Sequence, residues 1–191
     1  LDVRDVPAMR NRLQTVARQV GEVDILINNA GYEQVCPSYE LTEEIWDTIM
    51  ETNLKGAFFA AQFAAHSMVR SSRGGAIVNV CSLTSYVGVP TAVPYGSSKS
   101  GLLGMTRALS TEWASEQIRV NAIAPGYFRT ELTEAFYREQ AWQEAMLQKI
   151  PLNSFGNAND LKGAVVFLVS DAAKYITGQC LAIDGGYLAS I

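Results

Sequence analysis

Short apolar runs alternate with longer amphipathic stretches from one end of the chain to the other, and this rhythm constrains the fold more than any other feature. Asp24–Ile27, Gly75–Ser82, Arg119–Ala124 and Gly178–Ile183 read as strands. Leu13, Val16, Ala17 and Val20 lie at helical spacing between Pro7 and the closing Gly21. Thr42, followed by Glu43 and Glu44, opens a long helix toward Met68 whose apolar face runs through Ile45, Trp46, Ile49 and Leu54. Further helices are predicted over Tyr95–Ala114 and from an Asn157 or Asn159 cap to Val169. Strand–helix alternation of this kind predicts an α/β chain with a parallel sheet covered on both faces. Such sheets bind ligands beyond the C-terminal ends of their strands. Three strands here end in polar or glycine-containing turns: Asn28-Asn29-Ala30-Gly31, Ser82, and Pro125-Gly126-Tyr127-Phe128-Arg129-Thr130.

One of those ends carries chemistry. In Tyr95-Gly96-Ser97-Ser98-Lys99 the phenol and the ammonium lie one above the other on a helix, and Ser82 stands thirteen positions before the tyrosine. A phenol with an ordinary pKa of ~10 is a poor base near neutrality, but an adjacent cation favours its ionised form. The three side chains are therefore expected to share one proton, with Lys99 drawing the Tyr95 pKa down and the tyrosine acting as general acid and base. Asn53 falls on the apolar face of the long helix, four residues after Ile49. An amide there must have its hydrogen bonds met, either by tying the helix to a neighbouring strand or by holding an ordered water.

These motifs, in this order, resemble the classical short-chain dehydrogenase/reductases from Leu1 to Ile183-Asp184-Gly185-Gly186-Tyr187. The resemblance implies a Rossmann-type doubly wound sheet in a single domain over 1–191. It implies a nicotinamide cofactor, NAD or NADP, and a catalytic set of Asn53, Ser82, Tyr95 and Lys99, with Asn53 also holding a relay water. Cofactor contacts are implied at Asp2 and Val3 beside the adenine, at Asn29, Ala30 and Gly31 along the adenosine, at Tyr95 and Lys99, and at Pro125, Gly126, Phe128 and Thr130 around the carboxamide. The segment at about 127–150, which includes Phe136, Tyr137, Trp142, Met146 and Leu147, corresponds to a substrate lid; simple surface packing is the alternative. A homodimer or homotetramer is implied as well.

The same resemblance marks a gap. The family carries a glycine-rich phosphate turn on its first strand, with three strands and two helices before the position of Leu1, and none of this precedes Leu1 here. The sequence is therefore expected to be the C-terminal portion of a longer dehydrogenase, with an apolar sheet edge at Ile25-Leu26-Ile27. A naturally short relative is the alternative.

Composition narrows the partners. With 191 residues, 48% of them hydrophobic, the chain suffices for one sizeable core. Fifteen Lys and Arg against 19 Asp and Glu, a net charge of −4, argue against a nucleic-acid partner. No apolar run is long enough to span a membrane and no signal-peptide pattern appears, so a cytoplasmic protein is expected. Cys36, Cys81 and Cys180 read as reduced thiols; Cys81 has no histidine base in its motif and is assigned to the core. The single histidine, His66, is assigned a structural role and no metal site is expected.

The expected partner is a small alcohol or its carbonyl. The activity expected is NAD(P)-dependent interconversion of a secondary alcohol and a ketone, on a sugar acid or polyol by resemblance of the run Ile123–Leu132 to gluconate 5-dehydrogenases. A 3-oxoacyl-carrier-protein reductase, supported only by Arg129 and Arg138, and a non-catalytic interaction subunit are the alternatives.

Overall fold

The computed structural model describes residues 1–129 and 136–190. Asp5 caps helix α1 (Val6–Val20) by accepting from the Ala8 N–H, and Pro7 sits in its first turn, where a missing N–H costs nothing. Strand β1 (Ile25–Asn28) follows, then α2 (Glu43–Met50), capped by Thr42. The long helix expected from Thr42 to Met68 is not continuous. A π-helical turn at Glu51–Lys55 separates α2 from α3 (Gly56–Ser71), and such wide turns gather at functional sites.

Strand β2 (Gly75–Val80), helix α4 (Val93–Glu112) and strand β3 (Ile118–Pro125) come next. Helix α5 spans Gln140–Leu147 and α6 Ala158–Val169, and strand β4 closes at Cys180–Ile183. Asn157 opens α6 in a capping box, its Oδ1 accepting from Asn159 N–H while Asp160 accepts from the Asn157 N–H.

Among the described residues the strands form one parallel sheet in the order β1-β2-β3-β4. The period of two along each strand sorts the core into two layers. Ile77 and Val120 point into a layer shared with Ala61, Ala64 and Met68 of α3 and Leu109 of α4. Val78 and Ile123 point the other way, against Leu168 of α6. Among the described residues strand β1 pairs with β2, and Ile25 and Ile27 are 49% and 37% exposed.

Polar side chains cross the first layer as a connected line. Asn28 Nδ2 donates to Ala57 O at 3.0 Å and to Asn79 Oδ1 at 2.9 Å, and Asn79 Nδ2 donates to Thr106 Oγ1 at 2.9 Å. Asn28 and Asn79 are register partners on β1 and β2, so the line binds two strands to α3 and α4 at once. Every member is buried, which makes a half-satisfied line worse than none. Asn79→Ala should lower the unfolding free energy by about 1–3 kcal/mol with an unchanged urea m-value; denaturation curves of the two proteins measure it.

Candidate active site

The π turn decides where the site begins. Asn53 lies within it, 1% exposed. Its Oδ1 accepts from the Tyr32 N–H at 2.8 Å, and its Nδ2 donates to Tyr32 O at 2.9 Å and to Ser98 Oγ at 3.0 Å. Ser98 Oγ donates in turn to Tyr95 O at 2.7 Å. The asparagine is thus a tie, to the loop after β1 and the first turns of α4 rather than to a strand.

Helix α4 presents Tyr95 and Lys99 on one face, with the Lys99 Nζ 5.5 Å from the centre of the Tyr95 ring. Lys99 is 3% exposed, and its Nζ donates to the Val80 carbonyl, at the C-terminal end of β2, at 2.7 Å. An ammonium has three donors. Val80 O is the acceptor recorded for it among the described residues, so two donors remain available on the cavity side. Ser82 directly follows β2; its Oγ accepts from the Thr84 N–H at 3.2 Å and acts on the Tyr95 phenol as a hydrogen-bond partner that favours ionisation.

The proton balance differs from the sequence expectation. Burial pushes the Tyr95 phenol up to about 12, the Glu33 carboxylate pushes the same way, and Ser82 opposes both. Burial also draws Lys99 down to about 8, against the pull of Cys81 and Glu33. Desolvation is the largest cause of both shifts, because both groups lie in the same poorly solvated wall.

These groups face a cavity of about 450 Å³. Asn29, Gly31, Glu33, Ser82, Tyr95 and Lys99 form its polar side, and Pro125, Gly126, Tyr127 and Phe128 its floor beyond β3. Tyr137 and Trp142 come from the segment around α5, and Val35, Val87, Val89 and Leu161 complete an apolar side. An aromatic cluster fixes that wall: Tyr137 meets Phe155 and Trp142 edge to face at 4.8 and 5.2 Å, and Trp142 stacks on Phe155 at 6.1 Å. Gly156 must be a glycine, since a Cβ there would collide with the Phe128 ring.

Of the residues singled out from the sequence, Asn29, Gly31, Ser82, Tyr95, Lys99, Pro125, Gly126 and Phe128 line this cavity. Asn53 stands directly behind it, and Ala30 continues the turn between two lining residues. Asp2 and Val3 are not on the lining: Asp2 is engaged by the Arg4 backbone and guanidinium, and Val3 packs on Gly56 at the start of α3. Thr130 lies outside the described residues. Cys81 is 2% exposed in the core, and burial and Cys180 push its thiol far up, which removes it as a nucleophile. Glu33 was not read as a site residue from the sequence, whereas Tyr137 and Trp142 belong to the segment that corresponded there to a substrate lid. Glu33 follows the Asn29-Ala30-Gly31 turn so closely that the turn itself was the available signal.

Comparison with known proteins gives the same picture. A family profile described as enoyl-(acyl carrier protein) reductase matches residues 1–188. A 2-dehydro-3-deoxy-D-gluconate 5-dehydrogenase of Escherichia coli (strain K12) is 38% identical over 188 residues, covering 98% of this chain and 74% of that protein. A Sinorhizobium meliloti 1021 structure assigned to the short-chain alcohol dehydrogenases superposes with a TM-score of 0.96 at 63% identity, covering 100% of this chain and 75% of that one. A gluconate 5-dehydrogenase of Burkholderia cenocepacia J2315, solved with NADP and tartrate, gives 0.97 at 34% identity over 100% of this chain and 74% of that one. The parallel sheet with its cavity at the strand ends is therefore a Rossmann-type α/β fold. The chain belongs to the short-chain dehydrogenase/reductase family of NAD(P)-dependent oxidoreductases.

The Lys99 pKa has a consequence for stability. A lysine whose folded pKa lies near 8 instead of 10.5 binds its proton less tightly in the native state than in the unfolded one. The penalty acts fully below pH 8 and is relieved as pH rises toward 10.5. The unfolding free energy of the wild type relative to Lys99→Met should accordingly rise by up to about 3 kcal/mol across that window, a difference that denaturant titrations at several pH values measure.

Proposed function

We propose that the cavity interconverts a secondary alcohol and a ketone on a small polyhydroxylated substrate, a sugar acid or a polyol, with Ser82, Tyr95 and Lys99 around the reacting oxygen and Asn53 as the brace behind them. The observation that carries this reading is the buried Lys99 ammonium, held by Val80 O beneath the Tyr95 ring with donors left over beside the open Gly31 turn. A Cβ at Gly31 would sit 3.6 Å from Lys99 Nζ, in the space between turn and lysine. Those unused donors and that space fit the ribose end of a nicotinamide dinucleotide, with Lys99 on its hydroxyls, Asn29 and Gly31 along one side, and Pro125, Gly126 and Phe128 framing the ring. When bound, the dinucleotide supplies the hydride donor or acceptor.

The chain's own residues would manage the proton. In ketone reduction the Tyr95 phenol donates to the carbonyl oxygen as negative charge develops there, and the Ser82 hydroxyl donates a hydrogen bond to the same oxygen. Lys99 opposes the cost of leaving a phenolate in the wall. With Tyr95 pushed up to about 12, the proton-donating form of the phenol dominates near neutrality. The segment around α5 would cover the substrate, supported by Tyr137 and Trp142 standing over the cavity. Relatives that act on sugar acids, the Escherichia coli and Burkholderia cenocepacia enzymes, support the substrate class. A carrier-protein substrate has less support: among the described residues the charged groups lining the cavity are Glu33 and the buried Lys99.

Tyr95→Phe should reduce turnover in both directions to background while leaving NADP affinity within about twofold of wild type; retained turnover would remove the tyrosine from the proton step. For the wild type, kcat/KM for alcohol oxidation should climb from pH 6 to 8, where the Lys99 ammonium persists and the phenolate becomes more accessible, while ketone reduction should not climb. Initial rates in both directions across that range test the assignment.

A further inference from the structure

Among the described residues that line the cavity, Glu33 is the charged one that the proton chemistry does not use. It is half-buried, on the polar side with Tyr95 and Lys99. Among the described residues no hydrogen bond and no ion pair reaches its carboxylate, and Lys99, the one cation recorded as acting on it, donates to Val80 O instead. Burial without a partner raises its pKa. Its charge also makes the Tyr95 phenolate harder to form. A carboxylate that neither braces the fold nor helps the phenol is explained if the substrate supplies its partner.

We propose that Glu33 determines substrate charge: its carboxylate accepts hydrogen bonds from the hydroxyls of a neutral polyol or ketose, and it disfavours the sugar acid of the same length. This inference rests on the reading of the cavity as an oxidoreductase site for polyhydroxylated substrates and chooses between the two classes left there. A hydroxyl brought against the carboxylate gains a charge-assisted hydrogen bond and relieves the desolvated charge. A second carboxylate brought to the same place meets repulsion in a wall of low polarity. Tyr127, Tyr137 and Trp142, which also line the cavity, present ring faces and phenols. Arg129 exerts its charge on the Tyr137 phenol, not on Glu33.

The experiment compares D-glucitol with D-gluconate, which differ at one terminal carbon, by kcat/KM with NADP and by saturation-transfer NMR binding, for wild type, Glu33→Gln and Glu33→Lys. Wild type should prefer glucitol by about tenfold or more. Glu33→Gln should bring the ratio toward unity, and Glu33→Lys should reverse it by strengthening gluconate, with NADP affinity unchanged in both. A wild type that prefers gluconate, or a preference that Glu33→Gln does not move, overturns the proposal. So does a wild type that takes neither compound yet reduces a simple ketone in a Tyr95-dependent manner, and in that case the oxidoreductase reading stands. If no ketone is reduced, that reading falls and this one with it.

Discussion

The buried amide of Asn53 is the contact on which the site depends. An asparagine that is 1% exposed can be tolerated only if its donors and acceptor are met, and here the partners that meet them are the pieces that must be held together. Tyr32 offers both its N–H and its C=O, which fixes the turn leaving β1, and Ser98 receives the remaining donor, which fixes the start of α4. Asn53 is the buried residue of the π turn at Glu51–Lys55, and it is the one that meets both partners.

Placement of the lysine follows from the sheet. Lys99 could be solvated cheaply at the surface; instead it lies under Tyr95, bound to a strand-end carbonyl, at the cost visible in its lowered pKa. The same burial raises the phenol, so the pair is held in the state phenol plus ammonium rather than as a zwitterion. Proximity of opposite charges does not by itself decide ionisation. The solvent that both groups lose counts for more.

Much of this was legible in the sequence. Apolar runs placed the strands, Pro7, Thr42 and Asn157 marked helix starts, and the spacing of Tyr95 and Lys99 put them on one helical face. The four-residue register of a helix is a local property, so local pattern reveals it. The π turn was not legible, because nothing in Glu51-Thr52-Asn53-Leu54-Lys55 departs from ordinary helix formers and only the distant partners of Asn53 make the wider turn worthwhile. The raised phenol pKa escaped for a related reason: desolvation depends on what packs around a group, and residues such as Glu33 reach Tyr95 from the loop after β1, far away in the chain. The aromatic wall was visible only as scattered rings until Phe155 gathered Tyr137 and Trp142.

The Val80 carbonyl has a double duty with a kinetic side. It belongs to the last residue of β2 and anchors the Lys99 ammonium, so the end of a strand and the position of a cation depend on one residue. Strand ends open locally far more often than sheets unfold as a whole. Each such fraying event would set the ammonium adrift while the rest of the molecule stayed folded, which ties the fraction of time the lysine is in place to the breathing of a single strand terminus.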